Sequence, residues 1–207
     1  MIRRLLLVAL VASLSFGCIK NKREGEESGT KDSFGDVSLQ RFEHIGGDFT
    51  LTDQNGKPWT LSEQKGKALI LFFGYLTCPD VCPTTLVEMS KVLTELGRDA
   101  EQTQVVFISV DPERDSPENL RNYLVNFNPA FIGLTGTPEQ IAKVAEDYKV
   151  VYRRREQRSA MGYTIDHSSG SYLVDKAGDV RYIFAFQTKP KFIVKGIEKV
   201  LGLAPGA

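Results

Sequence analysis

With 207 residues, 42% of them hydrophobic and 25% charged, the chain is long enough for one globular domain with a substantial core plus an appendage. Its 26 basic residues balance its 26 acidic ones, so no cationic excess is available to bind nucleic acid. Beyond excluding that partner, composition says only that the chain is globular.

Arg3 and Arg4 precede an apolar run from Leu5 to Phe16, shorter than an ordinary membrane span, which Gly17 closes just before Cys18. This is the layout of a secretory signal over residues 1–17. It is similar to the signal of a bacterial lipoprotein, which implies that Cys18 is lipidated and holds an exported protein on the extracytoplasmic side of the cell membrane. Ser15 stands three positions before the cysteine, where such signals usually carry leucine. Simple cleavage or an uncleaved anchor is therefore the competing reading. Loss of residues 1–17 removes two arginines and no acids, leaving 24 basic and 26 acidic residues and a net charge of −2. Residues 19–36 are polar and Gly/Ser-punctuated, unable to bury a core, so 18–41 reads as a flexible tether ahead of a domain over 42–207.

In the domain, Asp48–Asp53 alternates, Gln54-Asn55-Gly56-Lys57 turns the chain, and Pro58–Ser62 returns as a hairpin. Ala68–Phe73 is continuously apolar, as a buried central strand should be. A helix from Pro83 to about Leu96 places Leu86, Met89, Leu93 and Leu96 on one face, with Cys82 as its cap. Val105–Val110 is a second buried strand. Asp115-Ser116-Pro117-Glu118, with either Asp115 or Ser116 as cap, starts a helix presenting Leu120, Tyr123, Leu124 and Phe127. A short strand near Phe131–Leu134 precedes a helix opened by Thr137-Pro138-Glu139. Val150–Tyr152 then leads into a polar stretch ending at Ala160. Ser171–Asp175 and Val180–Phe184 form a hairpin, and a last helix carries Ile193, Ile197, Val200 and Leu201. This order predicts an α/β sandwich around a mixed sheet with an N-terminal β-hairpin. A cysteine pair at its first strand-to-helix turn resembles the thioredoxin-like fold.

That pair lies in Cys78-Pro79-Asp80-Val81-Cys82-Pro83. A helix N-terminus favours thiolate, the form that exchanges disulfides and binds soft metals. Of three cysteines, Cys18 belongs to the signal, so Cys78 and Cys82 are left as a lone pair. A disulfide closing so short a loop constrains an unfolded chain little, so the pair serves chemistry. Pro79 and Pro83 each bend the residue before them away from regular helix, aiming two sulfurs at one point with a third direction open. His167, just before strand 171–175, sits where thioredoxin-like enzymes hold a cis-proline beside the dithiol. No proline occurs between Pro138 and Pro190. A surface or packing role is the alternative for His167, as it is for His44. Two thiolates and one imidazole form a soft, low-coordinate set that suits Cu(I) and also holds Cu(II). Structural zinc prefers four ligands.

Together, Cys78-Pro-Asp-Val-Cys82-Pro, Asp111-Pro-Glu-Arg-Asp115-Ser-Pro and Asp166-His167-Ser168-Ser169 resemble the Sco/SenC family, in order, between about Phe49 and Leu201. The resemblance implies a membrane-attached copper metallochaperone with Cys78, Cys82 and His167 as copper ligands. Its implied partner is the subunit of cytochrome c oxidase that houses the dinuclear copper centre (CuA), and a periplasmic copper donor protein is a further partner. The same cysteines would form a redox-active disulfide. A membrane-attached thiol-disulfide oxidoreductase, or a redox or copper sensor, are the rival readings.

Three features carry less. Asp80 either tunes local charge or is a solvated loop acid. Asp115 has helix capping as a sufficient reason. Arg153-Arg154-Arg155 with Arg158 is either a docking patch for an acidic partner or a solvated hairpin face.

Overall fold

The computed structural model describes residues 42–157 and 162–203. The signal (1–17), the tether (18–41), Cys18 and Arg158 lie outside the described residues.

Strands β1 (Thr50–Asp53) and β2 (Pro58–Thr60) form the expected antiparallel hairpin. Its turn is fixed by Asp53, whose Oδ1 accepts the Asn55 and Lys57 N–H groups at 2.8 Å each, and by Gly56 at φ +74°. β3 (Ala68–Gly74) is buried at all seven positions. It pairs in parallel with β4 (Thr103–Ser109), from Ala68↔Thr103 to Gly74↔Ser109. Beyond β4 lies β5 (Ile132–Thr135), parallel to it, and β1 closes antiparallel on β5. On the other side of β3 come β8 (Ser171–Val174), antiparallel to it, and β9 (Val180–Phe184), antiparallel to β8. The mixed seven-stranded order is β2-β1-β5-β4-β3-β8-β9.

Because side chains alternate along a strand, β3 feeds two cores. Leu69, Leu71 and Phe73 join Val106 and Ile108 against helix α3 (Pro138–Asp147). Ala68, Ile70 and Phe72 join Val105 and Phe107 against α1 (Val81–Leu96), α2 (Pro117–Leu124) and α4 (Pro190–Leu201). The result is a three-layer α/β sandwich of thioredoxin-like type. Two N-termini follow the sequence closely: Ser116 Oγ accepts from Asn119 N–H at 3.2 Å, and Thr137 with Gln140 makes a full capping box.

The structure departs from the sequence reading in three places. α1 begins at Val81, so Cys82 is its second residue rather than its cap. Pro83 is tolerated there because N–H groups of the first turn have no intrahelical acceptor to lose. α2 ends at Leu124; Phe127 lies past it on a tightened turn, its N–H donating to the Leu124 carbonyl at 3.0 Å. The polar stretch after Tyr152 is a strand: β6 (Tyr152–Glu156) pairs antiparallel with β7 (Tyr163–His167) as a separate two-stranded ribbon. The ribbon lies on the α3 side, where Tyr163 and Ile165 enter the core.

Candidate metal centre

The first two donors stand where β3 gives way to α1. The Cys78 N–H donates back to the Tyr75 carbonyl at 3.2 Å, turning the chain so that Cys78 stays half-buried at the surface. Cys82, one helical turn on, is fully buried. Its sulfur occupies the space over Gly74, where an added Cβ would lie 2.8 Å from Cys82 Sγ and 2.9 Å from the Phe107 ring. The last position of β3 must therefore lack a side chain. Both cysteines are free thiols.

The third donor arrives on the ribbon. His167 is the last residue of β7, opposite Tyr152, and Ser168 continues the ladder by donating its N–H to the Val151 carbonyl at 2.9 Å. The ring is fixed by its own neighbour: Nδ1 lies 3.0 Å from the Ser168 carbonyl oxygen. Since a carbonyl only accepts, Nδ1 carries the proton and Nε2 keeps its lone pair. That lone pair faces Cys82 Sγ at 3.5 Å. The edge-on Tyr75 ring at 5.8 Å and the Phe72 ring at 6.3 Å hold the imidazole laterally. One donor atom from each of Cys78, Cys82 and His167 thus lies within 4.8 Å of the others.

The two thiols differ in proton affinity. Cys78 is held far below an ordinary thiol: the Cys82 thiol donates to its sulfur, outweighing partial burial, and the Asp80 and Cys82 N–H groups add to this. Cys82 is pushed up by donating to Cys78, by burial, and by the neighbouring Cys78 charge. The resting pair therefore holds one thiolate and one proton, and a soft cation entering between the sulfurs displaces that proton.

One residue near the centre does not have the role expected of it. Asp115 caps nothing. It is buried after β4, where its Oδ2 accepts the Ser109 hydroxyl at 2.6 Å and the Leu76 N–H at 3.1 Å, and burial pushes its carboxyl up to about 6. Asp111 accepts from the Tyr163 hydroxyl at 2.7 Å and pairs with Arg114. Tyr163 is missing from the sequence reading because nothing in its local pattern marks it; the Asp-Pro-Glu-Arg-Asp motif supplied the only signal for its partners. The described part of the arginine run is an exposed ribbon face, and two of its charges are engaged in ion pairs. Arg154 pairs with Glu113 and Glu156, and Arg155 with Asp166. Asp80 and His44 are exposed, and Met89 is core.

The SCO1/SenC family model matches residues 37–202. A SCO2-like protein of Rickettsia felis is 41% identical over 152 residues, covering 73% of this chain and 74% of that one. The structure of Bradyrhizobium japonicum ScoI with copper bound is 44% identical at a TM-score of 0.70, covering 75% of this chain and 99% of that chain. BsSco, described as having a disulfide switch and as a member of the Sco family of cytochrome c oxidase assembly proteins, shares the fold at 23% identity. Its TM-score is 0.64, over 81% of this chain and 99% of that one. With a strand-to-helix dithiol, a facing histidine and these likenesses together, the chain belongs to the SCO1/SenC family.

Proposed function

We propose that the protein is a copper metallochaperone that holds one copper ion through Cys78 Sγ, Cys82 Sγ and His167 Nε2. Its recipient is the subunit of cytochrome c oxidase that houses CuA. The observation that carries this reading is the convergence of three soft donors within 4.8 Å of one another, drawn from two separate parts of the chain. Thiolate and imidazole are the ligands Cu(I) and Cu(II) share. Copper bound in the related ScoI and oxidase assembly described for BsSco support the cargo and the destination.

A three-donor site leaves room for an incoming thiolate, so the ion passes by ligand exchange without first being released. The same exchange, run in reverse order, loads it from an extracytoplasmic copper donor. Loading requires the reduced pair, because a Cys78–Cys82 disulfide has no thiolate to offer. The signal layout and Cys18 support export and lipid anchoring, with the domain held over the outer face of the cell membrane.

The thiol asymmetry favours a second use of the same pair. The Cys78 thiolate is accessible, and Cys82 is buried with its proton, as an attacking and a resolving thiol should be. Cys78 attacks a sulfur of a recipient disulfide, and one recipient thiol leaves. Cys82 then attacks Cys78 Sγ, releasing the second thiol. The recipient gains two electrons, and the chaperone is left as a disulfide.

Anaerobic Cu(I) titration separates the two uses. The wild type should bind one equivalent and His167→Ala should bind far more weakly. Unchanged binding in the variant, alongside robust disulfide turnover, would put the oxidoreductase in place of the carrier.

A further inference from the structure

The two ligand-bearing segments do not touch through backbone pairing. Cys78 and Cys82 follow β3 in the main sheet, whereas His167 ends a ribbon that, among the described residues, forms a separate two-stranded sheet. Between them runs the segment from Ser109 to Asp115, and it is bonded to both. On the thiol side, Asp115 accepts the Leu76 N–H, two residues before Cys78, and the Ser109 hydroxyl. Ser109 Oγ in turn accepts the Asp111 N–H at 3.0 Å. On the histidine side, Asp111 accepts the Tyr163 hydroxyl, and Arg114 donates to the Tyr163 carbonyl at 3.1 Å. The Tyr163 ring is clasped between two guanidiniums, Arg114 and Arg154, each 3.6 Å from its centroid. Arg114 also lies 5.9 Å over the Tyr75 ring that abuts His167.

Tyr163, Ile165 and His167 alternate onto one face of β7, so the clasp and the ligand sit at opposite ends of a lever about 13 Å long. We propose that Ser109–Asp115 is a strut that sets the distance between dithiol and imidazole, with Arg114 and Tyr163 as positioning residues for copper binding. Neither would touch the metal. With the clasp released, the ribbon swings and the copper keeps only its two sulfurs. This inference rests on the copper reading of the site.

The test compares Arg114→Gln and Tyr163→Phe with the wild-type protein, using Cu(II) electron paramagnetic resonance and Cu(I) competition. The wild type should show coupling to one nitrogen. Both variants should lose that coupling in part, with copper affinity down about a hundredfold for Arg114→Gln and about tenfold for Tyr163→Phe, since the binding-competent fraction falls with each lost contact. Their free-thiol titre should stay at wild-type level, and exchange of the β6 and β7 amides should rise while that of β3 and β4 does not. Wild-type coupling and affinity in a folded Tyr163→Phe, whatever its melting temperature, would overturn the strut, and so would failure of both variants to fold. Absence of nitrogen coupling in the wild type would instead sink the copper reading itself.

Discussion

The dithiol turn and the histidine ribbon contribute to one site but are built in opposite ways. The turn continues β3, a strand with no exposed residue, and opens a sixteen-residue helix whose inner face is core. The ribbon is two five-residue strands, and every residue of β6 after Tyr152 is exposed. Tyr163 and Ile165 anchor it in the core, with half-buried Tyr152 packed beside them, and polar contacts add to this. Stability is not uniform within a domain, and segments with few buried contacts open first. A metal site assembled from one rigid and one looser carrier keeps its sulfurs in place while its nitrogen can yield. That is the order in which a carrier should release ligands to a recipient.

Four perturbations test this contrast. Phe107 is fully buried against Phe72 in the sheet, and Phe107→Ala should cost about 3–5 kcal/mol of global stability in denaturant melts. Ile165→Ala, on the ribbon, should cost about 3 kcal/mol. Its signature is different: native-state exchange should speed up in β6 and β7 well before the sheet responds. If exchange rises evenly across the domain, the ribbon is no separate unit. Gly74→Ala should cost about 1–3 kcal/mol by overpacking, because the new methyl meets Cys82 Sγ and Phe107. It should also weaken copper binding, which separates it from an ordinary core defect.

The smallest effect concerns protons. In the reduced, metal-free protein the folded pKa of Cys78 lies far below the ordinary thiol value near 8.5. Its thiolate, with the stabilisation that goes with it, is fully present above that ordinary value and lost only as pH falls through the folded one. Alkylation of Cys78 should therefore stay nearly flat from pH 8 to pH 6, where an unperturbed thiol slows about tenfold per unit. A tenfold fall per unit would show that the Cys82 thiol does not donate to Cys78.

Much of this was legible in the sequence, for identifiable reasons. The unbroken apolar run of β3 reads as a buried strand, and Thr137-Pro138-Glu139 spelled out a helix start. The cysteine spacing and Asp166-His167-Ser168-Ser169 named the three residues that the fold brings together. What escaped was whatever depended on partners far along the chain. β6 reads Tyr-Arg-Arg-Arg-Glu and shows no apolar alternation, because it is a strand only by virtue of β7. Of the two capping candidates it is Ser116 that caps, and what the sequence did not show is that Asp115 turns inward to Ser109 and Leu76. Phe127 continues the apolar spacing of α2, but the helix stops one turn earlier and the ring packs from the following loop.

The account turns on whether an imidazole from the ribbon and two sulfurs from the turn share one copper ion. X-ray absorption at the copper edge of the loaded protein measures this most directly. The account predicts two sulfur neighbours and one nitrogen, with His167→Ala reducing the shell to sulfur alone. A wild-type shell made only of sulfur, or one unchanged by His167→Ala, would contradict it.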